Sequence, residues 1–308
     1  MKHLKELKHN GFLWLNVTKQ SEKELSELGR RFDFDEKDLQ ECLPPFQRPK
    51  MVKRSHYYFL VLHFPVFDRA SRRVSFTEVD IFLNPNYLVT IHDSRLPVIE
   101  KFFEECAENP AIRAQYFNGS MAQVMLELLG RLLEAVLPSL LHINEDVNTV
   151  DKSLFDNPSE RKVAGEILRL KTNIVTFRRT MQGHRSVLER LLSYGDRDLQ
   201  LVSFQNQINI NREFIAEIWH MLESQKESIN ALHETNESII NYKTGEVMKI
   251  LTIISVLTFP LTLFATVLAI RAPGTPMVND PQGFWMVSGF TIFLAILMLV
   301  AFKIKKWI

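Results

Sequence analysis

The chain has 308 residues, with 37 lysines and arginines against 36 acids and a formal net charge of +1. That balance creates no basic field for a polyanion, so nucleic acid is not an expected partner. Its two cysteines, Cys42 and Cys106, fit a reducing compartment and lack the spacing of a metal-ligand set.

In chain order, residues 1–10 have no apolar core, and no cleaved signal peptide is expected. Residues 1–121 are expected to form a cytoplasmic α/β domain. Residues 21–32 (SEKELSELGRRF) start with a serine followed by glutamates three and six residues on, the pattern of a capped amphipathic helix. Three strands are expected at 56–64 (HYYFLVLHF), 80–83 and 87–92 (YLVTIH), with Asn84-Pro85-Asn86 as a turn. The segment carries no Gly-rich phosphate loop, nucleophile elbow or close His/carboxylate set, so enzymatic activity is not expected.

Residues 122–247 read as a helical region. The run 124–143 is strongly apolar but contains Glu127, Arg131 and Glu134, which makes it a packed soluble helix and not a membrane span. Further helices are expected around 158–179 and 184–192, with a turn at Gly195. No glycine or proline then occurs until Gly245. One heptad phase there holds Ile208, Ile215, Leu222, Ile229 and Asn236; the other holds Asn211, Ile218, Gln225, Leu232 and Ile239. Continued into the apolar run beyond it, this helix would reach about 75 residues. Asn211, Gln225 and Asn236 fit either register-setting positions of a coiled coil or a ring of helices around water.

Residues 248–308 form a hairpin of two uncharged runs and a basic tail. Residues 250–270 (ILTIISVLTFPLTLFATVLAI) and 284–302 (FWMVSGFTIFLAILMLVAF) are each about 20 residues long, enough to cross a hydrocarbon core. Trp285 and Trp307 bracket the second run at the level of the interface. Lys243, Lys249, Lys303, Lys305 and Lys306 flank the outer ends of the runs, whereas the loop 271–283 offers only Arg271. The positive-inside rule places both termini in the cytoplasm, and the chain is expected to be a multi-pass protein of the inner or plasma membrane with lipid as a partner. Ser255, Thr262 and Thr266 follow Met248 and Leu251 on one helical face, and Pro260 frees a carbonyl in mid-span. Such hydroxyls either pack helices together or line water; the second reading needs an oligomer, because two spans cannot enclose a path alone.

The segments Glu246-Val247-Met248-Lys249-Ile250-Leu251-Thr252-Ile253-Ile254, Phe259-Pro260-Leu261-Thr262 and Phe302-Lys303-Ile304-Lys305-Lys306-Trp307-Ile308, with Gln47-Arg48-Pro49-Lys50 near the first strand, carry a resemblance. With the helical region and the two-span end they resemble the CorA family of divalent-cation (magnesium) channels and transporters. The resemblance implies an α+β cytoplasmic funnel domain built as an α/β/α sandwich, a long stalk helix, two C-terminal transmembrane helices and a homopentamer. It implies Met248 and Leu251 as an apolar gate, Phe259 as a constriction and Thr262 as a pore-facing hydroxyl. No resident cofactor is implied; the divalent cation is the substrate and, at Glu41, a regulatory ligand, with Asn206 standing where a partner acid is expected.

One departure bears on selectivity. The family's Gly-Met-Asn signature falls, without gaps, on Ala269-Ile270-Arg271. Five arginines about 7 Å from a divalent ion would repel it by about 6 kcal/mol at water's dielectric, before screening. Asp280 is the acid in the loop that can offset this, by pairing, and Arg271 can also snorkel to headgroups. Three readings follow: a transporter of magnesium or of zinc, cobalt or nickel; a pore with altered or lost cation selectivity that passes anions; or a non-conducting membrane scaffold or sensor.

Overall fold

Asn10 and Gly11 adopt φ of 48° and 83°, the left-handed geometry of a two-residue hairpin turn, and they fold β1 (Leu4–His9) against β2 (Phe12–Thr18). The computed structural model describes residues 4–18, 21–154, 160–195, 197–270 and 281–305. The sheet continues with β3 (Lys50–Lys53), β4 (Tyr58–Asp68), β5 (Arg73–Leu83) and β6 (Tyr87–His92), in the order β1-β2-β6-β5-β4-β3. Among the described residues only the β2–β6 pair is parallel, with Leu15 opposite Val89.

Helices cover both faces of this sheet, the α/β/α arrangement expected. On one face α1 (Glu22–Phe32), α2 (Glu36–Glu41) and the connection between them pack Leu25, Leu28 and Phe34 against Leu15, Val61, Phe82 and Val89. Ser21 caps α1 by accepting from the Glu24 amide, and the Glu24 carboxylate accepts from the Ser21 amide in return. On the other face Trp14 lies 5.3 and 5.0 Å from Phe102 and Phe103 of α3 (Pro97–Glu108), beside the short α4 (Pro110–Tyr116).

The sheet is larger than the three strands expected. The β1–β2 hairpin was missed because Leu4 and Leu7 do not alternate at period two, although Asn10-Gly11 is itself a strong hairpin signal. Strand β5 runs from Arg73, not from residue 80, because its whole length pairs with β4. The expected helix at 124–143 is two helices, α5 (Met121–Glu134) and α6 (Leu137–Ser153). Pro138 sits in the first turn of α6 and has no N–H to continue the α5 ladder.

Helices α7 (Glu160–Met181) and α8 (His184–Gly195) follow, with α7 against β4 and β5. Gln200 then takes a left-handed φ of 56° before a 3₁₀ turn at Leu201–Phe204. The long helix therefore starts at Gln205: α9 is Gln205–Ala269, 65 residues, and not about 75. Its heptad residues Ile208, Ile215, Ile218, Leu222 and Ile229 are buried as expected. Asn211 and Gln225 have partners inside the same chain. Asn211 Nδ2 donates to the Leu126 carbonyl at 3.0 Å and Gln225 Nε2 to the Leu140 carbonyl at 2.8 Å. Both bonds span 85 residues, so they pin one register of α9 running parallel to α5 and α6.

Internal contacts divide the chain into Met1–His233 and Glu234–Ile308. In the second unit, α10 (Gly283–Ile304) lies beside α9, where the rings of Phe264 and Phe290 are 5.1 Å apart. The most apolar 18-residue windows of α9 and α10 have mean hydropathies of 2.2 and 2.3, and none of their residues is buried within the chain. Both helices are long and apolar enough to cross a membrane.

Candidate functional site

Six residues of α9 were singled out by spacing or resemblance: Met248, Leu251, Ser255, Phe259, Thr262 and Thr266. At about 100° per residue they fall within about 80° of arc on one side of the helix. The three bulky ones are open in the single chain, with Met248, Leu251 and Phe259 exposed to 58%, 56% and 73%. Thr262 and Thr266 are exposed as well, and Ser255 is half-buried. The helix continues through Pro260, whose missing N–H leaves the Val256 carbonyl without its usual donor.

Four hydroxyls along this stretch are satisfied locally. Ser255 donates to the Leu251 carbonyl at 2.9 Å, Thr252 to Met248 at 2.7 Å, Thr258 to Ile254 at 2.8 Å, and Thr266 donates to the Thr262 carbonyl. With their hydrogens so committed, the oxygens of Ser255 and Thr266 are left as acceptors. One face thus runs from an apolar pair through the Ser255 acceptor and an aromatic ring to Thr262 and Thr266. Ala269 ends α9 and Ile270 follows it, both exposed. Arg271 and Asp280 lie outside the described residues, as do Lys306, Trp307 and Pro158.

Glu41 is placed elsewhere, at the end of α2 in the other unit. Its carboxylate accepts from the Lys50 ammonium of the same chain, which also lies 5.6 Å over the Phe59 ring. Asn206, in the first turn of α9, is exposed. The Gln47-Arg48-Pro49-Lys50 motif has a structural role here. The Gln47 amide donates to Glu78 Oε2 at 2.7 Å, and a Cβ on Gly183 would come within 2.2 Å of the Pro49 Cβ.

Sequence reasoning missed the buried acids behind this motif. Glu78 shares its carboxylate with His63 at 3.2 Å, and Asp80 is buried beside Cys42. Burial, and after it the Glu78 charge, pushes the Asp80 carboxyl well above its ordinary value, and its Oδ1 has no hydrogen-bond partner among the described residues. Burial likewise pushes the Cys42 thiol up. The period-two spacing of Glu78, Asp80 and Phe82 was the signal that these acids point into one covered face. Among the described residues no group of three or more His, Cys, Asp or Glu side chains is set to hold a metal ion.

Residues 9–306 match the protein family described as CorA-like Mg2+ transporter protein. The chain belongs to the CorA family. The CorA match takes in the sheet domain, the helical region and both apolar helices. The cobalt/magnesium transport protein CorA of Thermotoga maritima is 25% identical over 303 residues, 96% of this chain and 83% of that relative. Its counterpart from Methanocaldococcus jannaschii is 21% identical over 300 residues, 96% and 91% of the two chains. The complete structure of the CorA magnesium transporter from M. jannaschii superimposes with a TM-score of 0.80 at 19% identity, covering 99% of this chain and 95% of that one. At that identity the superposition establishes the fold, and the CorA architecture expected from the sequence is the one this chain adopts.

Proposed function

We propose that five copies of this CorA-family chain assemble in the cell membrane, with both termini in the cytoplasm, and conduct divalent metal cations along an axial pore. In this reading residues 1–121 form the cytoplasmic α/β domain, 122–247 the helical region and stalk, and 248–308 the transmembrane hairpin and basic tail. The pore wall is the α9 face bearing Met248, Leu251, Ser255, Phe259, Thr262 and Thr266.

The observation that carries this reading is the shared, open face. Large apolar side chains exposed on a helix need a partner, and lipid alone gives no reason for hydroxyls to join them on the same arc. In a five-fold ring, Met248 and Leu251 close an apolar collar that blocks ions by shedding water. When it widens, a cation such as magnesium, which dehydrates reluctantly, passes with waters attached. The oxygens of Ser255 and Thr266 accept from those waters. A regulatory cation at Glu41 must displace Lys50 from the carboxylate it holds here.

Flux into proteoliposomes containing the purified protein, compared for magnesium, zinc and chloride, tests the reading. Divalent uptake that rises when Met248 and Leu251 are replaced by asparagine supports it. An intact pentamer that passes none of these ions in either form refutes it. The residues Ala269-Ile270-Arg271 in place of the family signature favour a second reading, a pore of altered selectivity. A chloride current that disappears in Arg271→Asn would establish that second reading.

A further inference from the structure

A groove of about 340 Å³ runs between α8 and α9 in the first unit. Arg185, Leu188 and Glu189 form one wall, and Arg212, Ile215, Ala216 and Trp219 the other. Each set repeats at three- and four-residue steps, so each is one helical face. Leu188 and Ile215 are buried and make an apolar floor, while the small side chain of Ala216 leaves the space open.

The charged groups around this floor are unevenly matched. Glu189 accepts from Nε and Nη2 of Arg212, each at 3.0 Å. Near Trp219, Arg178 lies over the indole at 5.3 Å and donates to Glu223, which also accepts from Lys226 at 2.7 Å. Among the side chains that line the groove, two guanidinium groups thus meet one carboxylate, which Arg212 already occupies. Arg185 feels the Glu189 charge but makes no hydrogen bond or ion pair among the described residues, and the Trp219 indole N–H makes no hydrogen bond there. The groove therefore presents unused donors, excess positive charge and an aromatic wall over an apolar floor. A ligand that satisfies all of these has a planar ring and a multidentate anion with acceptor oxygens, since a guanidinium fork matches phosphate geometry. The cavity volume falls within the range of small-molecule sites.

We infer that this groove binds a nucleoside phosphate, with Arg185 on the phosphate and Trp219 beside the base. The site is independent of the pore reading, because it is built within the first unit and its test measures binding and not flux.

The full-length protein in detergent is titrated with AMP, adenosine and inorganic phosphate, followed by tryptophan emission and calorimetry. The expected result is saturable AMP binding with Kd below about 1 mM, and binding of adenosine and of phosphate each weaker by about tenfold or more. Arg185→Gln, at an exposed position, weakens AMP about tenfold at unchanged melting temperature. Ala216→Leu fills the groove without altering charge and abolishes binding. No AMP binding up to about 10 mM, phosphate binding as tight as AMP, or AMP binding unaffected by both substitutions overturns the inference.

Discussion

His184 opens α8 in a fully enclosed position, 1% exposed, with the Phe64 ring 4.9 Å away and edge-on. Among the described residues neither ring nitrogen makes a hydrogen bond of normal geometry. Burial lowers its pKa from the ordinary 6.5 to about 4, the His63 charge adding to this and the Met181 carbonyl offsetting part of it. The sign follows directly. A histidine kept neutral in the folded state contributes its full stability above the unfolded value near 6.5, and that contribution is lost as pH falls toward 4. At about 1.36 kcal/mol per pH unit, the loss between those limits comes to about 3 kcal/mol. For a unit of this size that is about 6–12 °C of melting temperature. Melting curves of the full-length protein in detergent, recorded from pH 7.5 to pH 4, should show wild type losing about that much more than His184→Leu. Carboxylates titrate in both proteins and cancel in the difference. Parallel melting-temperature profiles for the two would refute the buried-neutral assignment.

Asp80 has the opposite sign. Its carboxyl is raised by burial, so stability is complete below the unfolded value near 4 and declines as pH rises through the raised one; Asp80→Asn should stabilise by about 1–3 kcal/mol at pH 8 and by little at pH 4. A denaturant titration at the two pH values reads this. Gly183→Ala should cost about 1–3 kcal/mol by driving a Cβ into the Pro49 Cβ, and Pro49→Gly, which removes that atom, should recover part of it in the same background and assay. Met248→Asn with Leu251→Asn should raise magnesium uptake into proteoliposomes severalfold, because a polar collar stays wet; an unchanged rate would remove both residues from the gate.

Much of the second unit was legible in the chain itself. A bilayer imposes a length and a composition on each span, so two uncharged runs near 20 residues announce two helices whatever they pack against. The heptad phase of α9 was legible for the same local reason: Ile208, Ile215, Leu222 and Ile229 recur at the helical period, and a face that recurs is a face that is buried. The six residues of the candidate pore share an arc through spacing alone. The sheet was less legible. Its β1–β2 hairpin rests on Asn10-Gly11, a signal in two residues, and the extent of β5 was set by eleven residues of pairing with β4.

What only the tertiary structure decided were the partners. The polar residues Asn211 and Gln225 carried two readings, and their bonds to the Leu126 and Leu140 carbonyls, each across 85 residues, fix the register within one chain. The same holds for Glu41, neutralised by Lys50, for Gly183 against Pro49, and for the groove between α8 and α9. Periodicity and span length are local properties, written into consecutive residues by helix geometry and the thickness of a membrane. A partner is not local: it depends on which distant segments the folded chain closes together, and no spacing within either segment encodes the other.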